Sequence, residues 1–265
     1  MIELDYAHEG NVALLILTRP PANAFTPEGL LKLQHTVDRL NGDPKVRAIV
    51  ITGEGPTFFS AGADLNTFAD GSKEVARHAA MRFGAAFEAL QNARPVAIAA
   101  INGYAMGGGL ECALACDIRI AEEHAVMALP ETAVGLLPAG CGTQTLPWLV
   151  GEGWAKRMVL TGERVNATTA LRIGLVEEVV EKGTAREFAL AMAAKVLALS
   201  PQAVTYSKQL IHQARNGVPR SAALAVERER FVDLFDGADQ REGVNAFLEK
   251  RAPRWATMAT EGTQR

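Results

Sequence analysis

Ile101-Asn102-Gly103-Tyr104-Ala105-Met106-Gly107-Gly108-Gly109-Leu110-Glu111 leaves an apolar run, crosses a glycine-rich turn and enters an apolar helix, Leu110 to Ala115. The run before it, Val96-Ala97-Ile98-Ala99-Ala100-Ile101, has the length and branching of a buried strand. Such a turn presents bare backbone N–H groups at the start of a helix. There the helix dipole favours an anion, either a phosphate or an oxyanion that develops during a reaction. Phosphate is the weaker choice, because no Lys-Ser or Lys-Thr follows the glycines and their spacing does not fit GxGxxG. Close packing of a strand on a helix also needs glycines, and spacing alone does not separate the two readings.

Outward from this segment, strand and helix alternate. Val12-Ala13-Leu14-Leu15-Ile16-Leu17 and Ala48-Ile49-Val50-Ile51 are short apolar runs ending at Pro or Gly signals. Between them Thr26 caps a helix, Pro27 suits its first position, and Leu30, Leu33, Val37 and Leu40 recur on one face. A second helix reads from about Lys73 to Ala93, ahead of the Val96 strand. The recurrence of strand, helix, strand predicts an α/β architecture. From about Gly151 helices take over, with a capping-box pattern at Thr184-Ala185-Arg186-Glu187, a cap at Ser200-Pro201 and a further start at Asp239-Gln240-Arg241-Glu242. The chain divides at about residue 198 into a core, 1–198, carrying the ligand site, and a helical region, 199–265. In the latter, Leu224, Phe231 and Phe235 beside Arg228, Glu229 and Arg230 suit a helix that covers its own core or builds a subunit interface.

The 265 residues are 48% hydrophobic and 22% charged, which excludes a disordered or collagen-like chain. A formal charge of −3, with no basic tract, makes nucleic acid a poor partner. Cys112, Cys116 and Cys141 form no CxxC pair, so neither a disulfide framework nor a zinc site is expected, and a reduced, cytoplasmic setting fits best. The acidic opening Met1-Ile2-Glu3-Leu4-Asp5-Tyr6 does not read as a signal peptide. The uncharged stretch between Arg94 and Glu111 is too short to span a bilayer, and no membrane partner is expected.

Glu111 follows the glycines among Leu110, Cys112, Ala113 and Leu114, a partly dry place for a carboxylate. Glu131, in Leu129-Pro130-Glu131-Thr132-Ala133-Val134-Gly135, is a second acid in apolar company. A short strand around Asp117 to Ile120 and a polar turn at Glu122-Glu123-His124 can fold the two back towards one pocket, and paired carboxylates are a general acid/base device. Phe58-Phe59-Ser60-Ala61-Gly62-Ala63-Asp64-Leu65 supplies a small-residue turn able to offer another backbone N–H, the second donor an oxyanion hole needs. Asp64 reads first as a cap on the helix that follows. None of the five serines lies in GxSxG, no HExxH occurs and the five histidines are scattered, which disfavours a serine hydrolase or metalloenzyme.

At these residues the chain resembles the crotonase superfamily, specifically the enoyl-CoA hydratases. The likeness runs through Arg19-Pro20, Asn23-Ala24, Ser60 to Leu65, Asn102-Gly103-Tyr104, Gly107-Gly108-Gly109, Cys116-Asp117-Ile118, Pro130-Glu131, Gly142-Thr143-Gln144, Leu160-Thr161-Gly162, Gly174-Leu175-Val176 and Phe247 to Arg251. It implies a spiral of ββα turns with a helical C-terminal region that packs trimers, commonly paired into hexamers. The implied ligand is an acyl-CoA thioester, with no cofactor beyond the CoA carried by the substrate. By that resemblance the N–H groups of Ala63 and Gly108 hold the thioester oxygen as it becomes an enolate. Glu111 then deprotonates the attacking water and Glu131 supplies the proton to the α-carbon. Ala22, Ala61 and Leu65 line the adenine pocket, with Gly62 and Asp64 in the same binding segment. Retention of both acids favours syn addition of water to a 2-trans-enoyl-CoA over isomerisation, and binding of RNA, known among some relatives, is disfavoured by the charge. Asn66, Thr145 and Pro21 stand where relatives often carry basic residues, so the polar contacts to CoA are expected to differ.

Overall fold

The computed structural model describes residues 2–215 and 217–255. Its largest sheet has six strands, β1 (Ile2–Ala7), β2 (Val12–Leu17), β3 (Ala48–Gly53), β5 (Val96–Ile101), β7 (Ile118–Glu122) and β10 (Glu178–Val180), lying side by side in that order. All neighbours are parallel except the β1–β2 hairpin. A smaller sheet orders β4 (Phe58–Ser60), β6 (Tyr104–Met106), β8 (Val126–Ala128) and β9 (Val165–Asn166). Three successive turns of chain place one strand in the large sheet, one in the small sheet and then a helix. These are β3–β4 with α2 (Lys73–Gln91), β5–β6 with α3 (Gly108–Leu114), and β7–β8 with α4 (Gly142–Leu160). That is the α/β spiral of ββα turns expected above.

The central strands are buried on both faces, the condition in which a parallel strand reads as a continuous apolar run. On one face lie α1 (Pro27–Gly42), which buries Leu30, Leu33, Val37 and Leu40, and α2, which buries Phe83, Ala86, Phe87 and Leu90. Each of these leucine, valine and phenylalanine side chains contributes about 1.5–3 kcal/mol on burial. After the short α5 (Ala167–Arg172), α6 (Ala185–Leu197) lies on the other face and packs Ala185, Ala189 and Ala193 against Val50, Ile98 and Ile120. Asn102 stitches one coil of the spiral to the next, its amide accepting from Gly53 N–H at 3.1 Å and donating to the carbonyls of Gly53 and Gly55 at 2.9 and 2.7 Å.

Two sequence expectations change. The glycine turn does not run directly from strand to helix, because Tyr104–Met106 forms β6 between them, paired with β4 and β8. The pattern at Thr184 is not a working capping box: its hydroxyl donates to Glu181 O, while buried Glu122 takes the Ala185 N–H at 3.3 Å. Thr26 and Ser200 do cap, accepting from Gly29 N–H and Ala203 N–H.

Beyond α6, α7 (Pro201–Gln213), α8 (Arg220–Asp233) and α9 (Ala238–Leu248) follow. Asp117 anchors α7 to the core, accepting from Lys208 Nζ at 2.7 Å and Ala97 N–H at 2.8 Å, with His212 Nε2 at 3.4 Å. The last ten residues of the helical region, 256–265, lie outside the described residues.

Candidate active site

The site forms where the glycine turn meets the Ser60–Leu65 segment and the two ends of α4. Gly107 precedes α3 with φ +53° and ψ −126°, a conformation that disfavours any side chain. A Cβ there would also stand 3.0 Å from Glu131 Oε1, so the glycine is what lets that carboxylate approach the backbone. At Gly108 a Cβ would lie 2.6 Å from Phe83 Cε1. Phe83 on α2 is therefore a wall of the site, braced edge-on by Phe25 and Phe87 at centroid separations of 6.0 and 5.7 Å. As the first residue of α3, Gly108 has an N–H with no partner inside the helix. Neither its N–H nor that of Ala63 meets an acceptor among the described residues.

Glu111 is 3% exposed and its carboxylate is gripped from one side. Oε1 accepts three backbone hydrogen bonds, from Gly140, Cys141 and Gly142, each at 2.8 Å. These are N–H groups at the entry to α4, which have no partners within their own helix. Oε1 is thereby saturated, and Oε2 is the oxygen left for further chemistry.

Glu131 has the opposite surroundings. It opens a 3-10 turn, Glu131–Val134, and both carboxylate oxygens are buried without a hydrogen-bond partner among the described residues. Loss of solvation pushes its pKa up to about 7, opposed by its own backbone N–H and reinforced by the charge of Glu111. Next to it, Thr132 Oγ1 donates to Val159 O at 3.0 Å. The segment 142–160, broken at Gly151, thus secures Glu111 at its first turn and the Glu131 turn near its last.

Gly62, the residue before Ala63, packs closely on the start of α3: a Cβ on it would lie 2.9 Å from Gly108 N. Ala61 is tied to Ala22 by an N–H to carbonyl bond of 2.9 Å. Leu65 is 52% exposed at the mouth of this segment. The carboxylate of Asp64 is occupied, accepting from Asn66 N–H at 3.1 Å and Arg19 Nη2 at 2.6 Å, so it serves as a cap and ion-pair partner. What sequence reasoning missed is the Gly140–Gly142 clasp, whose only local signal was two glycines around a cysteine. A cavity of about 1030 Å³ lies elsewhere, between α7 and the core beside Asp117, Trp148 and Lys208, and is lined by neither Glu111 nor Glu131.

Fold and site together define a crotonase-type enzyme, and comparison with known proteins agrees. The chain belongs to the enoyl-CoA hydratase/isomerase family, whose profile matches residues 7–258. It is 38% identical to the short-chain-enoyl-CoA hydratase of Clostridium acetobutylicum, over 92% of this chain and 93% of that one. Among solved structures, DspI of Pseudomonas aeruginosa superposes with a TM-score of 0.93 at 62% identity, covering 96% of both chains. The enoyl-CoA hydratase of Bacillus anthracis superposes at 0.92 with 37% identity, covering 96% and 98%.

Proposed function

We propose that the protein adds water across the double bond of a 2-trans-enoyl-CoA, giving the 3-hydroxyacyl-CoA. The observation that carries this reading is the contrast between the two carboxylates: one gripped through a single oxygen, the other unpartnered and titrating near neutrality.

In this reading the thioester oxygen lies between the N–H groups of Ala63 and Gly108, which stabilise the enolate as charge builds on it. Glu111 Oε2 holds the attacking water and takes its proton as oxygen bonds to the β-carbon. Glu131, with a pKa of about 7, carries a proton in a good fraction of molecules at neutral pH and delivers it to the α-carbon. Delivery of both from one side gives syn addition. The substrate undergoes no net change of oxidation state, so the reaction calls for no redox cofactor, and CoA enters as part of the substrate. Ala22, Ala61, Gly62 and Leu65 border the proposed CoA path, with Asp64 shaping it through its cap.

The assembly we propose is a trimer or a pair of trimers. Phe231, Phe235, Phe247 and Leu248 on and beside α8 and α9 are left largely outside the chain's own core, Phe247 at 83% exposure, as suits an apolar surface covered by other copies. A cytoplasmic setting accords with three free cysteines.

The test is hydration of a panel of 2-trans-enoyl-CoA thioesters, followed by loss of conjugated-thioester absorbance. Turnover with incorporation of oxygen from isotopically labelled water is expected. The family description also covers isomerases. Conversion of a 3-enoyl-CoA to the 2-enoyl isomer, with no labelled oxygen in any product, would replace hydration by isomerisation.

A further inference from the structure

We infer that Ser60 is a positioning residue that aims the Ala63 N–H at the reacting thioester oxygen; this rests on the enolate-stabilising role proposed above for Ala63. Ser60 is fully buried and its hydroxyl bridges two segments, donating to Asn23 O at 2.8 Å and accepting from Gly62 N–H at 3.1 Å. Around it, residues 22–25 run alongside 61–64. Ala61 N–H donates to Ala22 O at 2.9 Å, Phe25 N–H to Gly62 O at 2.7 Å, and Asp64 N–H to Phe25 O at 2.9 Å. Of the four N–H groups from Ala61 to Asp64, three are therefore occupied. Only that of Ala63 has no acceptor among the described residues.

The direction of that N–H follows from peptide planarity. The carbonyl of Gly62 and the N–H of Ala63 belong to one trans peptide and point opposite ways. Phe25 holds the carbonyl end, so the N–H faces away from the 22–25 segment. What could still rotate is the preceding peptide, whose N–H belongs to Gly62. Ser60 Oγ fixes it, and through Asn23 O fixes the spacing of the two segments. Asn23 is itself held, its side-chain amide donating to Glu54 O and Phe58 O at 3.0 Å each. Without the hydroxyl, Gly62 N–H is a buried donor with no acceptor and must turn to find one, tilting the next plane with it. A backbone donor stabilises an oxyanion only when already aimed at it, so a modest tilt is felt most by the charged enolate and least by a neutral thioester.

The experiment compares wild type with Ser60→Ala and with Ser60→Cys, which fills the site with a slightly larger atom and keeps a weak donor and acceptor. Two ligands of equal chain length are titrated: a 3-ketoacyl-CoA, whose bound enolate is read by its absorbance, and the saturated acyl-CoA. For Ser60→Ala, enolate affinity and kcat should each fall roughly 10-fold or more while saturated acyl-CoA affinity stays within about 2-fold, with Ser60→Cys intermediate. Should Ser60→Ala fail to fold, the same enolate-selective loss is read in Ser60→Cys. Equal weakening of both ligands, or unchanged enolate binding, would overturn the inference and show Ser60 to be a packing residue. Wild type that binds the enolate selectively yet hydrates nothing would remove the hydratase reading and leave the role of Ser60 standing.

Discussion

The Glu111 clasp and the Glu131 turn present the same side chain in opposed settings, twenty residues apart in sequence. Around Glu111, backbone from a distant loop converges on one oxygen with three donors. Around Glu131 neither oxygen has a hydrogen-bond partner among the described residues, and only its own backbone N–H opposes the loss of solvation. Donors orient a carboxylate and leave it an acceptor, whereas desolvation without donors favours the protonated form. In the reaction proposed here, local backbone geometry, rather than residue type, divides the two glutamates into a base and an acid, the arrangement an addition of H and OH requires.

Glu111→Gln should break the comparison most severely. The amide oxygen of glutamine can still accept the three N–H bonds, so the fold persists, but the group turned to the water becomes an NH2, which cannot accept a proton. Turnover is expected to fall ~10³–10⁴-fold with thermal stability close to wild type, read by steady-state kinetics and by melting. Activity within ~10-fold of wild type would take the base role away from Glu111. Glu131→Gln removes the transferable proton while leaving the water held by Glu111. A smaller loss, ~10²–10³-fold, is expected, together with disappearance of the limb of the pH profile on which wild-type turnover falls as pH rises through about 7. Persistence of that limb in the variant would assign it to another group.

Gly107→Ala probes how the turn makes room for Glu131. With φ at +53° and the new methyl 3.0 Å from Glu131 Oε1, the backbone is strained and the carboxylate must shift. A loss of about 1–3 kcal/mol in unfolding free energy is expected, with a rate loss of roughly 10-fold. If the variant is as stable as wild type, the turn tolerates a side chain and the close approach is not what requires glycine.

How far these features were legible depends on the range of the interactions behind them. The glycine turn, Glu111, Glu131 and the caps at Thr26 and Ser200 are encoded within a few residues each, and the sequence points to all of them. The clasp is not local: Gly140 and Gly142 lie 29 and 31 positions from the carboxylate they hold, and no spacing rule announces a loop that returns. Tyr104–Met106 is three residues of strand whose identity comes from pairing with β4 and β8, not from its own pattern. Thr184 shows the converse. Its motif is intact, yet the Thr184 N–H that Glu187 would have claimed goes to Glu181 O, and Glu122, 63 positions before Ala185, takes the first N–H of the helix. Short-range chemistry proposes a cap, and tertiary packing decides which group provides it.

The last expected effect is on stability rather than turnover, and it separates the two carboxylates without any substrate. The folded state raises the pKa of Glu131 from 4.5 to about 7. Between those values the folded chain holds a proton there that the unfolded chain has released. Stability rises with pH where the unfolded state binds more protons, and here the folded state binds more, so the sign is reversed. The contribution of Glu131 is therefore fully present below about pH 4.5 and is lost as pH climbs through about 7, as an unpartnered charge forms in a dry place. Urea unfolding from pH 5 to 8 should show wild type losing stability relative to Glu131→Gln, which has no charge to form. Parallel pH curves for the two proteins would mean that Glu131 is better solvated than its unpartnered oxygens indicate, and the division of labour between the glutamates would then lose its electrostatic basis.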